Sequence, residues 1–327
     1  MTVQPAPGQG RIRLHAEVAT SVLALTDLIS VDAAAEPELF CSQAAHAAAA
    51  LPGDLRTALH HFSRWGSPTG TFLVEGLVAT DVPRTPGDNT EHVGAGTPLA
   101  RVQAMIGETL GNLVAYEAEG GGRLFQDMVP ARSAAERQTS LSSRVELELH
   151  TEQAFSPLRP DYLVLCCLRG DPDARTFTLT ARQLAARLPA DHLRKQHWTT
   201  RVDESFRVGG HVFDLGDIRG PLPILSGADD DPFLVFDQDL MEATTSAGRG
   251  VLSAITEIYR EQRYAHVLKP GEILVIDNNR AVHGRSPFRP RFDGGDRFVV
   301  RSFVMTDLAR SRYARQGNGR VISARCS

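Results

Sequence analysis

Hydrophobic and polar residues alternate along several short segments in the second half of the chain. In VELELH, at 145–150, every second residue is apolar and the residues between are polar. Because the side chains of a strand point to opposite faces in turn, this two-residue period predicts β-strands. Strand-like segments are VELELH at 145–150, YLVLCCL at 162–168, EILVIDN at 272–278 and RFVVRSFV at 297–304. On the last of them, one face is expected to carry Phe298, Val300, Ser302 and Val304, and the other Val299, Arg301 and Phe303.

Apolar residues at helical spacing predict helices in the first third of the chain and between the later strands. An alanine-rich segment is interrupted by Pro52 and Gly53, and Pro98 begins a second helix. The segments expected to be helical are 41–62, 98–110, 181–197 and 240–263, and a further strand is expected at 71–78. Helices and strands do not alternate as in a parallel α/β protein. The pattern therefore favours a mainly β barrel or jelly roll with flanking helices.

The same pattern predicts one folded domain. Residues 1–14 are expected to be a disordered N-terminus, and residues 15–327 a single domain. Within it we expect a helical part to about residue 115 and a β core at about 116–310 with helical insertions. The Pro- and Gly-rich loop at 82–98 is too long for a simple connection, so we expect it to be mobile or functional.

Composition and charge narrow the class of protein. The formal net charge is -4, which provides no basic surface for nucleic acid or an anionic membrane. No run of 18 apolar residues and no leader with a cleavage site is found, so we expect a cytoplasmic protein. The four cysteines show neither metal-binding spacing nor a disulfide framework. A homo-oligomer is compatible with this sequence.

The strand at 145–150 leads into a motif that can bind a metal. His150 and Glu152 are two residues apart, so on a strand they would project from one face. His283, just after the strand EILVIDN, is the best third ligand. Two histidines and one carboxylate form the facial triad that holds a non-haem Fe(II) and leaves coordination positions open.

Two arginines follow the distal histidine. Arg297 lies fourteen residues beyond His283, and Arg301 lies four further along the same strand, so both can point into one cavity. A 2-oxo acid that chelates a metal needs a cation for its far carboxylate, and the planar guanidinium suits that task. Two buried arginines need carboxylate partners, which a 2-oxo acid and an amino acid would supply.

Each of these features also has a structural interpretation. A His-X-Glu pair by itself is often a solvated strand end, histidine is not scarce in this chain, and both arginines could be ordinary charges at the rim of a barrel. Glu146 and Glu148 could line the barrel mouth, pair with arginines or meet solvent. The joint order of His-X-Glu, a distant His and then Arg on the next strand favours the metal site.

The segments HTEQAFSPLRPDYLVLCCLRGDP and DNNRAVHGRSPFRPRFDGGDRFVVRSFV closely resemble the clavaminate synthase-like Fe(II)/2-oxoglutarate oxygenases. The resemblance extends from about residue 116 to the C-terminus. Within this family, the chain is most similar to the free L-lysine 3-hydroxylases, on the segments AYEAEGGGRLFQDMVP, ILSGADDDPFLVFDQDLM and RVISARCS. The family also includes arginine and asparagine hydroxylases. The resemblance implies a double-stranded β-helix, or cupin-like jelly roll, with a mobile lid.

The resemblance also implies roles for individual residues. His150, Glu152 and His283 would ligate iron, and Arg297 would pair with the C5 carboxylate of 2-oxoglutarate. The remaining matches are Thr178 for the same carboxylate (with Thr176 as the alternative register), Arg301 for the substrate α-carboxylate, Glu119 for the α-amino group and Ser140 for the wall of the substrate site.

The segment VFDQDL resembles the part of the arginine hydroxylases that receives the guanidinium. Asp237 and Asp239 lie in it and favour a cationic side chain, because an unpaired cation in a dry pocket is costly. The preceding acidic run at 229–231 is expected to be a solvated turn. Carboxylates discriminate well between a cationic side chain and a neutral amide, but they discriminate poorly among lysine, ornithine and arginine.

The implied function is a 2-oxoglutarate-dependent dioxygenase that uses Fe(II) and O₂ to hydroxylate a free basic L-amino acid, L-lysine at C3, with release of succinate and CO₂. L-Arginine or L-ornithine as substrate, and C4 of L-lysine as the position, remain open. A halogenase is disfavoured by Glu152, because chloride needs the place of that carboxylate. A carrier-tethered substrate is disfavoured by Arg301, and a non-catalytic metal-binding jelly roll leaves the arginine pair unexplained.

Overall fold

The alternating segments form two main β-sheets in the computed structural model, which describes residues 10–207 and 209–327. The α-helices in these ranges are α1 (Ala16–Ala24), α2 (Pro37–Ala48), α3 (Gly53–Trp65), α4 (Pro98–Leu110), α5 (Ala181–Ala185), α6 (Ala190–Leu193) and α7 (Ser246–Gln262). The strands are β1 (Arg11–Arg13), β2 (Thr71–Glu75), β3 (Asn112–Tyr116), β4 (Gln126–Met128), β5 (Leu147–His150), β6 (Tyr162–Arg169), β7 (Arg175–Thr180), β8 (Trp198–Arg201), β9 (Ile218–Leu222), β10 (Leu225–Gly227), β11 (Pro232–Leu234), β12 (Met241–Ala243), β13 (Tyr264–Val267), β14 (Ile273–Asp277), β15 (Ala281–Arg285), β16 (Phe298–Met305) and β17 (Val321–Ile322).

The larger sheet has the strand order β1-β2-β14-β6-β16-β3-β17, with β4 also paired to β16. The smaller sheet has the order β13-β7-β15-β5. A small cavity is lined by Leu163, Leu165 and Val299 from the larger sheet and by Thr176 and His283 from the smaller one. The two sheets therefore face each other around a cavity, which confirms the predicted jelly roll with flanking helices.

Strand β16 shows how the alternation divides the core into layers. Phe298, Val300 and Val304 pack in the cluster that contains the N-terminal helices, whereas Val299 and Phe303 pack in a second cluster on the other face. The alternation predicted for this strand is confirmed. Because odd-numbered residues face the smaller sheet, the arginines at 297 and 301 come from the strand end and strand face that border the cavity.

Helix α4 covers the outer face of the larger sheet. Apolar residues at its helical spacing, Val102 and Met105 among them, are fully buried. Gln103 lies on the same buried helix, and its amide nitrogen donates to the carbonyl of Val164 at 2.9 Å and to Ser302 Oγ at 2.8 Å. These bonds tie α4 to the two central strands and so stabilise the side of the barrel that carries the arginines.

Several elements differ from the predicted ones. Residues 1–9 lie outside the described residues, but Arg11–Arg13 of the expected disordered segment forms β1, which pairs in parallel with β2 and buries Ile12. The expected helix at 181–197 is two short helices, because Pro189 interrupts the hydrogen-bond pattern between them. The helix expected from 240 begins at Ser246, where the Thr245 side chain caps it.

Segment 241–243 is instead strand β12, which pairs with β8. The strand expected at 71–78 is confirmed as β2, and the N-terminal third, otherwise expected to be helical, also provides β1 to the larger sheet. All four cysteines are free. No helix in the described ranges has the length and apolar composition that crossing a membrane requires.

Candidate active site

The two predicted histidine ligands and the carboxylate ligand meet at one point. Ligand atoms of His150, Glu152 and His283 all lie within 4.8 Å of one another. His283 Nε2 is 3.5 Å from Glu152 Oε2, and the two imidazole rings are 4.3 Å apart between centroids. Two nitrogen donors and one carboxylate at these distances fit a divalent iron and leave further coordination positions for other ligands.

Strand register brings the histidines together. β5 pairs with β15, and His150 lies directly opposite His283 in that pairing. His150 Nδ1 is 2.7 Å from the carbonyl of Glu148, which fixes the ring and leaves Nε2 free to face the metal position. The strand ends at His150, however, so Glu152 lies in the following turn rather than on the same strand face.

The side chain of Asn278, which directly follows strand β14, holds this turn by hydrogen bonds. Asn278 Oδ1 accepts from the backbone N–H of Glu152 at 2.8 Å, and Asn278 Nδ2 donates to the carbonyls of Glu152 at 3.1 Å and Pro160 at 2.8 Å. Asn278 is fully buried. The Asn278 amide thus forms hydrogen bonds with both the N–H and the carbonyl of Glu152, and so positions the Glu152 carboxylate.

Replacing Asn278 with Ala should therefore disturb the metal site without touching a ligand. Unpairing the buried backbone groups of Glu152 should lower the free energy of unfolding by about 2–4 kcal/mol. A misplaced ligand should weaken metal binding by about 10- to 100-fold. Urea unfolding and Mn(II) titration measure the two effects. Asn279→Ala, which loses a 2.8 Å bond to Asp161, is the matched control and should retain metal affinity. Equal Mn(II) affinity in the Asn278 variant and the control would refute the positioning role.

The electrostatics of the triad favour metal binding. Burial, followed by the nearby His150, lowers the pKa of His283 to about 4, so its imidazole is neutral at pH 7. Burial opposes ionisation of Glu152, but Arg301 and then His283 outweigh it and lower the pKa of Glu152 to about 2. Neutral imidazoles and an ionised carboxylate are the forms that bind a metal.

A small cavity of about 50 Å³ lies between the two sheets behind the triad. Arg297 lines it, is buried, and makes no hydrogen bond or salt bridge within the described residues. Thr176 also lines this cavity, whereas the hydroxyl of Thr178 donates to the carbonyl of Thr69 at 2.8 Å. Of the two threonines considered, Thr176 thus lines the small cavity together with Arg297. An unpaired buried cation beside a hydroxyl fits the distal carboxylate of a 2-oxo acid.

A larger cavity of about 590 Å³ adjoins the triad on its other side. Arg301 lies at the boundary and lines both cavities. Its guanidinium donates to Glu152 Oε1 at 3.0 Å and also to Glu119 and to Gln126. Gln153 Nε2 donates to Glu119 at 2.9 Å. A cation and a carboxylate side by side can pair with the α-carboxylate and the α-amino group of an amino acid.

The larger cavity has further acidic residues beside the triad, where Asp237 forms a backbone bridge with His150. Asp237 and Asp239 both line it, and Asp237 Oδ1 accepts from the backbone N–H groups of Asp239 at 3.0 Å and Leu240 at 2.8 Å. Burial raises the pKa of Asp237 to about 6 and that of Glu119 to about 7. Each buried carboxylate therefore has free energy to gain from an arriving cation.

The other acidic residues considered from the sequence have separate places. Glu146 pairs with Arg263 at 2.6 Å, and Glu148 lines the larger cavity, where burial raises its pKa. In the run at 229–231, Asp231 pairs with Arg280 at 2.6 Å and lines neither cavity of the site. Ser140, predicted for the substrate wall, lines both cavities.

Sequence reasoning missed several residues of this site. Asn278 directly follows a predicted strand, so its position in DNN was an available signal, and Arg285 shares a strand face with His283 two residues before it. Asp203 and Gln126 also line the larger cavity, but they come from a loop and an edge strand without a pattern that marks them. Asn89, from the long loop at 82–98, lines the same cavity.

Comparisons with known proteins agree with this geometry. Residues 96–303 match the sequence model of the taurine catabolism dioxygenase TauD, TfdA family. The chain is 52% identical over 319 residues to an L-lysine 3-hydroxylase from Catenulispora acidiphila, covering 96% of this chain and 89% of that protein. The motif-based resemblance to iron oxygenases is thereby confirmed.

Solved structures show the same fold. Asparagine oxygenase in complex with Fe(II), 2S,3S-3-hydroxyasparagine and succinate matches with a TM-score of 0.88 and 31% identity, covering 96% of this chain and 99% of that chain. Non-heme iron oxygenase OrfP in complex with Fe and alpha-ketoglutaric acid matches with a TM-score of 0.81 and 26% identity, covering 95% and 99%. This chain, with its triad at the junction of two cavities, belongs to the TauD, TfdA dioxygenase family.

Proposed function

We propose that this protein is an Fe(II)- and 2-oxoglutarate-dependent dioxygenase that hydroxylates free L-lysine at C3. The observation that carries the proposal is the His150, Glu152 and His283 triad placed between two cavities of opposite charge. The cavity with the unpaired Arg297 suits an anion, and the cavity with several carboxylates suits a cation. The L-lysine 3-hydroxylase relative supports the choice of substrate and position.

The small cavity would hold the cosubstrate. Arg297 and Thr176 would bind the C5 carboxylate of 2-oxoglutarate, while its 2-oxo acid end reaches the triad. When bound, iron and 2-oxoglutarate activate O₂ for insertion of one oxygen atom into a C–H bond, with release of succinate and CO₂. The buried apolar lining from Leu163, Leu165 and Val299 excludes water from this end of the site.

The larger cavity would hold the amino acid by its head and by its tail. Arg301 would pair with the α-carboxylate, and Glu119 would receive the α-ammonium group, with Ser140 in the wall beside them. Asp237 would receive the side-chain ammonium. Fixing both ends of a flexible substrate places one carbon opposite the metal, and this positioning contributes much of the catalytic effect in such a site.

Other basic amino acids compete for the same site. Asp203, Asp237 and Asp239 all line the cavity, and carboxylates attract any cationic side chain, so L-arginine and L-ornithine are the alternative substrates. The position of attack follows from ångström-scale placement, so C4 is the alternative position. Incubation of each basic amino acid with the enzyme, Fe(II) and 2-oxoglutarate, followed by product mass and proton couplings, decides between them. Hydroxylation of L-arginine or L-ornithine in clear preference to L-lysine would overturn the lysine assignment.

Asp237→Asn should weaken lysine binding selectively. The amide keeps an oxygen for the backbone N–H groups of Asp239 and Leu240 but loses the charge that attracts the ammonium group. Loss of a charged hydrogen bond costs about 1.5–3 kcal/mol, so KM for L-lysine should rise about 10- to 100-fold. Steady-state kinetics with saturating 2-oxoglutarate measure this.

The matched control is Asp307→Asn. Asp307 also accepts a backbone N–H, from Ala309 at 2.8 Å, but it lines neither cavity of the site. Its KM for L-lysine should equal that of the wild type. If Asp237→Asn behaved like this control, the side-chain ammonium would have to bind elsewhere in the cavity.

A further inference from the structure

Arg285 lies beside the proposed cosubstrate and has no role in the function described so far. It follows His283 by two residues on β15, so its side chain projects to the same face, and it lines the small cavity with Arg297. Only 5% of Arg285 is exposed. Burying a charged guanidinium costs free energy, so a buried arginine needs hydrogen-bond or ionic partners that offset this cost.

The hydrogen-bond partners of Arg285 all belong to one segment. Its Nη1 donates to the carbonyl of Ser140 at 2.9 Å, and its Nη2 donates to the carbonyl of Ser142 at 2.5 Å and to Ser142 Oγ at 2.8 Å. The residues at 139–141 line the larger cavity, and Ser140 lines both cavities. The planar guanidinium thus holds the wall that separates the two compartments, which a single ammonium group could not do with the same geometry.

Within the described residues, the hydrogen-bond partners of Arg285 are serine carbonyl and hydroxyl oxygens, and none is a carboxylate. Its guanidinium carbon lies 5.2 Å from the ring centroid of Phe288, and that of Arg297 lies 6.0 Å from the same centroid. Two guanidinium groups around one buried ring form a doubly positive end of the small cavity. Carbonyl oxygens compensate only part of that charge, so an anion in the cavity would gain from both cations.

We infer that Arg285 is a positioning residue that couples the two compartments: its charge adds to that of Arg297 in holding the distal carboxylate of 2-oxoglutarate, and its fork of hydrogen bonds holds the Ser140–Ser142 wall against the amino acid. This inference rests on the proposed function. It predicts that one side chain contributes to the affinity of both ligands through two separable properties.

Two substitutions separate those properties. Arg285→Gln removes the charge, and Arg285→Lys keeps the charge but loses the fork. Arg315→Lys is the matched control, because Arg315 is also buried and donates to backbone carbonyls, of Leu308 at 2.8 Å and Asn318 at 3.0 Å, and to Ser311 Oγ at 2.9 Å, yet lines neither cavity of the site. Each protein is loaded with Mn(II) without O₂. Calorimetry then measures the Kd of 2-oxoglutarate, of 2-oxobutanoate, which lacks the distal carboxylate, and of L-lysine added after 2-oxoglutarate.

Arg285→Gln is expected to raise the Kd of 2-oxoglutarate at least about tenfold while that of 2-oxobutanoate changes less than about threefold, as loss of a charge contact of roughly 1.4 kcal/mol implies. Arg285→Lys should keep 2-oxoglutarate affinity within about threefold and raise the Kd of L-lysine about tenfold. Arg315→Lys should change neither constant. Thermal unfolding of every variant shows whether it folds. If Arg285→Gln does not fold, the Kd of L-lysine in Arg285→Lys is the deciding measurement.

Unchanged 2-oxoglutarate selectivity in Arg285→Gln, or unchanged L-lysine affinity in Arg285→Lys, would overturn the inference and leave the proposed function standing. A general loss of stability equal to that of Arg315→Lys, with both Kd values unchanged, would likewise show that Arg285 is only structural. A wild-type protein that binds no 2-oxoglutarate with Mn(II) would instead overturn the proposed function, and the inference with it.

Discussion

A His283→Ala variant is expected to lose stoichiometric metal binding and all measurable succinate formation. His283 provides one of two nitrogen donors, and Ala leaves a two-ligand site that holds iron weakly. Removing a ligand should reduce metal affinity by about a thousandfold or more, equivalent to roughly 4 kcal/mol. Metal content after desalting and succinate release in the presence of L-lysine measure the two losses. The fold should persist, because His283 Nδ1 has no hydrogen-bond partner within the described residues.

The control for this variant is His266→Ala. His266 lies on the edge strand β13, two strands away from His283 in the smaller sheet, where it pairs with Glu272 at 2.8 Å and is partly exposed. Its metal content and succinate release should match those of the wild type. Full metal content and turnover in His283→Ala would show that the metal is held elsewhere and would refute the triad.

An Arg301→Ala variant is expected to lose affinity for the amino acid more than for the cosubstrate. The guanidinium that would bind the α-carboxylate is gone, and Glu119 and Glu152 lose their common cation. KM for L-lysine should rise about 100-fold, equivalent to roughly 2.7 kcal/mol. The Kd of 2-oxoglutarate should change far less, since Arg297 is the residue proposed to bind its distal carboxylate. Kinetics and calorimetry of the Mn(II) form check the two expectations.

The structure adds a second consequence to this substitution. Because Arg301 donates to Glu152 at 3.0 Å, its removal should also raise the pKa of Glu152 and weaken metal binding modestly. Arg310→Ala is the control for loss of an arginine that pairs with a buried carboxylate, because it breaks a 3.1 Å pair with Asp161, and neither residue lines either cavity of the site. A KM for L-lysine that stays at the wild-type value in Arg301→Ala would contradict the assignment of this arginine to the α-carboxylate.

The features that sequence predicted best depend on residue spacing along one strand. The alternation on β16 placed Arg301 on the same face as Val299 and Phe303, and the structure agrees. The His-X-Glu motif and His283 were expected at one point because of chemistry, and the register of β5 against β15 places them there. The jelly roll and its helices followed from the same two-residue and 3.6-residue periods.

What the sequence did not predict depends on turns and on contacts between distant segments. Glu152 lies beyond the strand end, in a turn that Asn278 holds from 126 residues away. Thr176 and Thr178 share a face of β7, so spacing alone could not show that Thr176 lines the small cavity while the Thr178 hydroxyl donates to the carbonyl of Thr69. Strand β1 was missed because three residues show no period, yet pairing with β2 satisfies their backbone groups.

The measurement that tests the central claim most directly is the yield of succinate and hydroxylated L-lysine in the same reaction. With Fe(II), 2-oxoglutarate and O₂, the wild-type protein should form equal amounts of succinate and 3-hydroxylysine, with proton couplings that place the hydroxyl at C3. Omission of L-lysine should reduce succinate to a background level. No succinate above that background with L-lysine or any other free amino acid, from protein that carries metal, would contradict the account.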